Sequence, residues 1–199
     1  MITRKEMTRM LLKEGLLSCL ANDSFETVTV TSLCKASGIT RSTFYLHYSN
    51  IMEIVDDLVD DAIAYSRPGM VDNNNLQTIA NTLSAASNSV ALREAYDSIF
   101  DRLPLCQRII RHKKYLPLFL DDQISEYVLQ RIIGREKDRQ GLVMAEALGT
   151  SFDVGVSVFV FLVHGLYAVN KQYKWSQSDE WLEAQKVIFE LVYRGLHRK

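Results

Sequence analysis

The sequence predicts an all-α protein, and three observations predict it. Apolar residues recur at helical spacing along most of the 199-residue chain. No segment alternates convincingly between apolar and polar side chains as a half-buried strand would. Only 3 prolines and 9 glycines interrupt the pattern, while hydrophobic residues make up 47% and charged residues 24%. That is the composition of a globular chain long enough to bury a substantial core, as one domain or as one compact domain with a small extra lobe.

The first helix is expected from about Arg4 to Ala21, with Leu12, Leu16, Cys19 and Leu20 on one face and "NDS" at Asn22 to Ser24 as its stop. Thr29 is placed to cap a short second helix through about Ser37, because its hydroxyl oxygen can accept from an amide that has no partner in the first turn. Gly38 breaks that helix. Thr40 can cap a third short helix over Arg41 to His47, and Asn50 with Glu53 has the spacing of a capping box opening a longer fourth helix that ends at Pro68-Gly69.

"RPGMVDNNN" is the expected hinge between lobes. Further helices are expected over about Leu76 to Ser89, Leu92 to Leu103, Leu105 to Lys113, Leu118 to Lys137, Met144 to Tyr173 and Asp179 to His197. "SQSD" caps the last one, whose apolar stripe includes Trp181, Leu182, Ile188, Phe189, Val192 and Leu196. The most apolar run, Val154 to Val169, is short for a bilayer span and contains Ser157 and His164, so it reads as a buried helix.

Charge excludes little but has a direction. The chain carries a net charge of -1, yet residues 1 to 50 carry +2 against -3 for the remainder. An N-terminal lobe that meets a polyanion needs that sign. Cys19, Cys34 and Cys106 are odd in number and widely spaced in apolar segments, which reads as buried free thiols in a reducing compartment and not as a metal site. "MITRKEMTRM" has no apolar signal region, so a cytoplasmic protein without a membrane partner is expected.

No enzyme is expected either: there is no G-x-S-x-G elbow, P-loop, H-E-x-x-H or Rossmann glycine run, and no cofactor motif. Asp56-Asp57 and Asp60-Asp61 read as a solvated acidic helix face, and the charge run around His112 as a solvated helix end.

The densest chemistry lies in "KASGITRSTFYLHYSNIMEI", Lys35 to Ile54. Two short helices joined at a glycine, with small polar residues opening the second, form a helix-turn-helix signal. A helix that enters a major groove needs donors on its exposed N-terminal turn and apolar anchors on its other face. Ile39 and Phe44, with Val30 and Leu33 before them, supply anchors, and Tyr48 joins them. Thr40, Arg41, Ser42, Thr43, Tyr45 and His47 are left for the outside.

Over about residues 4 to 62 this stretch resembles the DNA-binding region of the TetR/AcrR family of bacterial transcriptional regulators. Thr29-Val30 matches the start of its second helix, "SGIT" its turn and "YLHY" the end of its third helix. The resemblance implies that Thr29 and Tyr45 contact phosphates, that His47 approaches the backbone, and that Arg41, Ser42 and Thr43 line the groove. Arg41 is the candidate for base readout, since a guanidinium pairs with guanine bidentately.

Three positions depart from the family pattern. Ser24 stands where glycine is usual, which moves any left-handed residue to Asn22 or Asp23; Cys34 replaces an alanine; Ile51 replaces a lysine that would touch a phosphate.

The resemblance further implies a DNA-binding domain over 1-48 and an effector-binding and dimerisation domain over 49-199, with the helix at 50-67 as connector. The last two helices would build the dimer interface, operator DNA would be held by a homodimer, and a small-molecule effector would release it, as in a repressor. Tyr96, Phe100, Tyr115 and Phe119 are either ordinary core or the lining of such an effector pocket, and His164 is a core, interface or ligand-sensing residue. The alternative is a helical protein-interaction module that keeps the helix-turn-helix scaffold without specific DNA reading, for which Ile51 is the best argument.

Overall fold

A computed structural model describes residues 3–66, 75–104, 106–108 and 113–196. The chain is all-helical, with no strand among the described residues. Its α-helices are α1 (Arg4–Leu20), α2 (Val30–Ser37), α3 (Arg41–Tyr45), α4 (Ile51–Ser66), α5 (Asn75–Ser84), α6 (Ser89–Ser98), α7 (Pro117–Leu120), α8 (Ser125–Leu148), α9 (Phe152–Gln172) and α10 (Asp179–Leu196). They divide into two compact units, one of Met1–Ala64 with His112–Ile132 and one of Tyr65–Arg111 with Ile133–Lys199. The hinge at "RPGMVDNNN", the end of the fourth helix at Pro68-Gly69, His112 and His197 fall on or among residues outside the described ones.

In the first unit α1 lies close along α2. Gly15 makes that approach possible: a Cβ there would stand 2.8 Å from the Cβ of Ser37. Leu12 and Leu16 from α1, Leu33 from α2, Phe44 from α3, and Ile54 and Leu58 from α4 are fully buried together with Tyr48. Each such aliphatic side chain contributes about 1.5–3 kcal/mol of hydrophobic stabilisation.

The end of α1 corrects one expectation. Neither Asn22 nor Asp23 takes a left-handed conformation; Lys174 and Trp175 are the only non-glycine residues with positive φ among the described ones. The chain instead leaves α1 through right-handed Ala21, with the amides of Asn22 and Asp23 both donating to the Cys19 carbonyl. That local turn needs no glycine.

The acidic pairs of α4 are a second correction. Asp57 accepts from Arg9 at 2.5 Å and from the Tyr48 hydroxyl at 2.5 Å, and Asp61 pairs with Lys13 at 2.5 Å. Asp56 pairs with Arg131 at 2.7 Å and accepts from the Tyr127 hydroxyl at 2.8 Å. A face read as solvated is the seam that ties α4 to α1 and to the start of α8, through partners far away in sequence.

In the second unit α10 packs on α5 and α6. Trp181 is fully buried and meets Tyr96 edge to face at 5.2 Å between centroids. Where α8 meets α9 there is no room for side chains: a Cβ on Gly155 would strike the Gly141 carbonyl and Ala145.

Helix boundaries here differ from expectation for identifiable reasons. The expected break at 137–144 is replaced by one at Gly149, which is left-handed at φ +60°. Its amide and that of Thr150 donate back to the carbonyls of Glu146 and Ala145, so α8 ends there and a separate α9 begins after Ser151. Asp121 interrupts the helix expected over Leu118 to Lys137, its side chain accepting from the amides of Gln123 and Ile124 at the head of α8. Asn88 accepts from the Ala91 amide and starts α6 earlier than Leu92.

Two readings of burial also change. Cys34 is buried, but Cys19 and Cys106 are half-buried; all three thiols are free. The apolar run read as a buried helix is α9, yet only 22% of its most apolar window is buried. By length and composition alone α9 could cross a membrane. Its outer face carries Val154, Ser157, Phe161, Gly165 and Ala168, with Phe161 74% exposed.

Candidate nucleic-acid interface

The local architecture of residues 29 to 48 follows from its caps. Thr29 accepts from the Ser32 amide at 3.1 Å while the Ser32 hydroxyl accepts from the Thr29 amide at 2.9 Å, a reciprocal box that opens α2. Gly38, at φ +67°, ends it: the Ile39 amide donates to Cys34 and the Gly38 amide to Lys35. Two residues later Thr40 opens α3, its hydroxyl accepting from the Thr43 amide at 3.2 Å and lying 3.0 Å from the Ser42 hydroxyl and 2.9 Å from the Thr43 hydroxyl. Three hydroxyls therefore converge on the first turn of α3.

The back of α3 is pinned. Phe44 is fully buried, 5.1 Å from the Tyr45 ring and 6.3 Å from that of Tyr48. Tyr48 is buried under the Arg9 guanidinium, which lies 5.0 Å over its ring and donates to its hydroxyl at 3.1 Å. Burial, and then the hydrogen bond it donates to the Asp57 carboxylate, push the Tyr48 phenol up, so it stays a neutral donor. A neutral Tyr48 holds the end of α3 against α4 through Asp57.

The sequence-predicted residues fall into three groups. Arg41, Ser42 and Tyr45 are exposed, Tyr45 by 53%. Thr29 and Thr40 are exposed too, but their oxygens serve as caps as well as facing outward. Thr43 and His47 are half-buried, and His47 Nδ1 is screened from solvent without a hydrogen-bond partner.

Two neighbours were missed in the sequence. Thr31 on α2 accepts from Arg41 Nη1 at 3.4 Å, a long bond that steadies the guanidinium between the two helices. Leu46 is 81% exposed beside Tyr45. The helical period places Ser42, Tyr45 and Leu46 on one face, and that spacing is the signal that could have found Leu46. Chemically the surface offers a guanidinium, the five hydroxyls of Thr29, Thr31, Thr40, Ser42 and Thr43, and a phenol, all able to donate, with apolar Leu46 at the edge.

The five residues considered for an effector pocket do not share a unit. Tyr115 and Phe119 are buried in the first. Tyr96, Phe100 and His164 belong to the second, where Tyr96 is buried with its hydroxyl donating to Gln107 at 3.0 Å, while Phe100 and His164 are half-buried. Gln107, Asn170 and Gln185, buried polar residues of the second unit, drew no notice in the sequence because nothing in it pairs them.

Comparison of the chain with protein-family models, with curated proteins and with solved structures finds no match. Residues and geometry are left to carry the functional reading.

Proposed function

We propose that the protein is a DNA-binding transcriptional regulator of the kind its sequence resembles, a cytoplasmic repressor that holds operator DNA as a homodimer and is released by a small-molecule effector. One observation carries this reading: α3 turns Arg41, Ser42 and Tyr45 outward around a cluster of hydroxyls, while Phe44 and Tyr48 anchor its back. A helix presented to a major groove needs both halves of that arrangement, and a mere turn between helices needs only the second. In this reading α2, the Gly38 turn and α3 are the helix-turn-helix, Arg41 reads a base edge, and Thr29, Tyr45 and His47 meet the backbone.

The exposed apolar faces of α9 and α10 favour the homodimer. Phe161 and Val154 on α9 and Val187 and Leu191 on α10 stand in solvent, and the Asn170–Trp181 bond at 3.0 Å joins the two helices. Such a face in an isolated chain is costly and marks an interaction site. Its small residues, Gly165 and Ala168, leave room for a close-packed helix of a second copy. Two α3 helices about one turn of DNA apart would then read two half-sites.

The test is a gel-shift titration on selected and on random duplexes at several salt concentrations, alongside sedimentation of the free protein. A dimer whose DNA affinity falls steeply with salt is expected. A monomer, or a protein that binds no duplex at low salt, sinks the reading.

A further inference from the structure

The second unit buries a guanidinium and leaves one edge of it unused. Arg108 is only 4% exposed. Its Nη1 donates to the Asp101 carbonyl at a long 3.4 Å, whereas Nε and Nη2 are screened from solvent and have no hydrogen-bond partner. Burial pulls its pKa below the usual arginine value, and the nearby Tyr65 phenol and Asp101 carboxylate oppose that only in part. A buried charge without a hydrogen-bonded counter-charge is among the costliest arrangements in a protein.

Which atoms are free is informative. Nε–H and Nη2–H lie side by side on one edge of the guanidinium and form the fork that meets two oxygens of a carboxylate or a phosphoryl group. The interior around Arg108's neighbour in the chain is also short of acceptors. Gln107 accepts from Tyr96 and donates to Gln185 at 2.8 Å, leaving Gln185 Nε2 without a partner. Asn170 gives its oxygen to the Trp181 indole and keeps an unpartnered Nδ2. Both amides are fully buried. Buried water can serve an amide donor, but it does not neutralise a cation.

We propose that Arg108 is the anchor of a ligand site for a small oxyanion, a molecule whose carboxylate or phosphoryl group seats on the Nε and Nη2 edge. This names the chemical class of the effector and rests on the regulator reading for its consequence alone, because binding is measurable without DNA.

The experiment is thermal unfolding of the full-length protein with benzoate, hexanoate or inorganic phosphate, each against sodium chloride at the same ionic strength. Benzamide and hexanol serve as uncharged counterparts. At least one anion is expected to raise the midpoint, by about 5–10 °C at roughly 100 times its Kd, where its uncharged counterpart does not. A carboxylate response identifies one source of the oxyanion and a phosphate response the other. Arg108→Gln should abolish the rise. Arg108→Lys keeps the charge without the fork, serves if the glutamine variant does not fold, and should weaken binding by about tenfold.

The proposal is overturned if no anion exceeds the chloride control, or if the rise persists undiminished in the variant that folds. Gel shifts separate the two readings. A protein that binds an anion but no DNA loses the regulator reading and keeps Arg108's role; one that binds DNA and ignores every anion loses only this proposal.

Discussion

The half-buried carboxylates of α4 in the first unit and the buried polar side chains of the second are matched to opposite degrees. In the first, Asp57, Asp61 and Asp56 on α4 each have a cation, and Asp57 and Asp56 have a tyrosine hydroxyl as well. In the second, Arg108, Gln185 and Asn170 keep donors that nothing in the described protein accepts from. Satisfied polar networks fix one geometry, whereas unsatisfied ones cost stability and persist where something else supplies the missing partner. The α4 seam of the first unit is matched group by group, and in our proposal a ligand supplies the acceptor that the second unit lacks.

Three arginines turn this contrast into measurements. Arg9→Met removes the cation from a part-buried network and leaves Asp57 without its charge partner, and urea unfolding should show a loss of about 1–3 kcal/mol. Arg41→Ala should leave stability within about 0.5 kcal/mol. Its effect belongs to DNA, where titration against the preferred duplex should show a loss of about 10- to 100-fold and relaxed choice at one base pair. Gly38→Ala forces a Cβ into a left-handed turn and should cost about 1 kcal/mol in the same unfolding measurement.

Smallest of all, Arg108→Met should change ligand-free stability by less than about 0.5 kcal/mol or raise it, since an apolar side chain of similar length relieves the uncompensated charge. A loss as large as that of Arg9→Met would erase the contrast between the units.

What was legible in the sequence was local. Thr29, Gly38, Thr40, Asn50 and Ser178 act on amides within a few residues of themselves, and the caps and turns they predict are present. The buried backing of α3 by Phe44 and Tyr48 was legible for the same reason, helical spacing. What failed was long-range. Arg9 meets Asp57 across 48 residues, and Tyr127 meets Asp56 across 71; no spacing rule reaches that far.

Glycine was ambiguous in a similar way. Gly141 sits inside α8 because α9 presses against it, while Gly149 ends the helix in a left-handed turn, and the sequence alone does not say which is which. The second unit's polar interior at Gln107, Asn170 and Gln185 was not legible in the sequence, because an unmet hydrogen bond exists only in three dimensions.

Asp121 has a consequence for how the outward surface is held in place. One of its oxygens accepts from the amides of Gln123 and Ile124 at the start of α8, and the other accepts at 2.6 Å from the amide of Phe25, four residues before Thr29. A single carboxylate thus works as a rivet through two parts of the first unit. Sliding the first turn of α8 by an ångström must either break that 2.6 Å bond or drag Phe25 along, and with it the strand of chain that feeds the cap of α2.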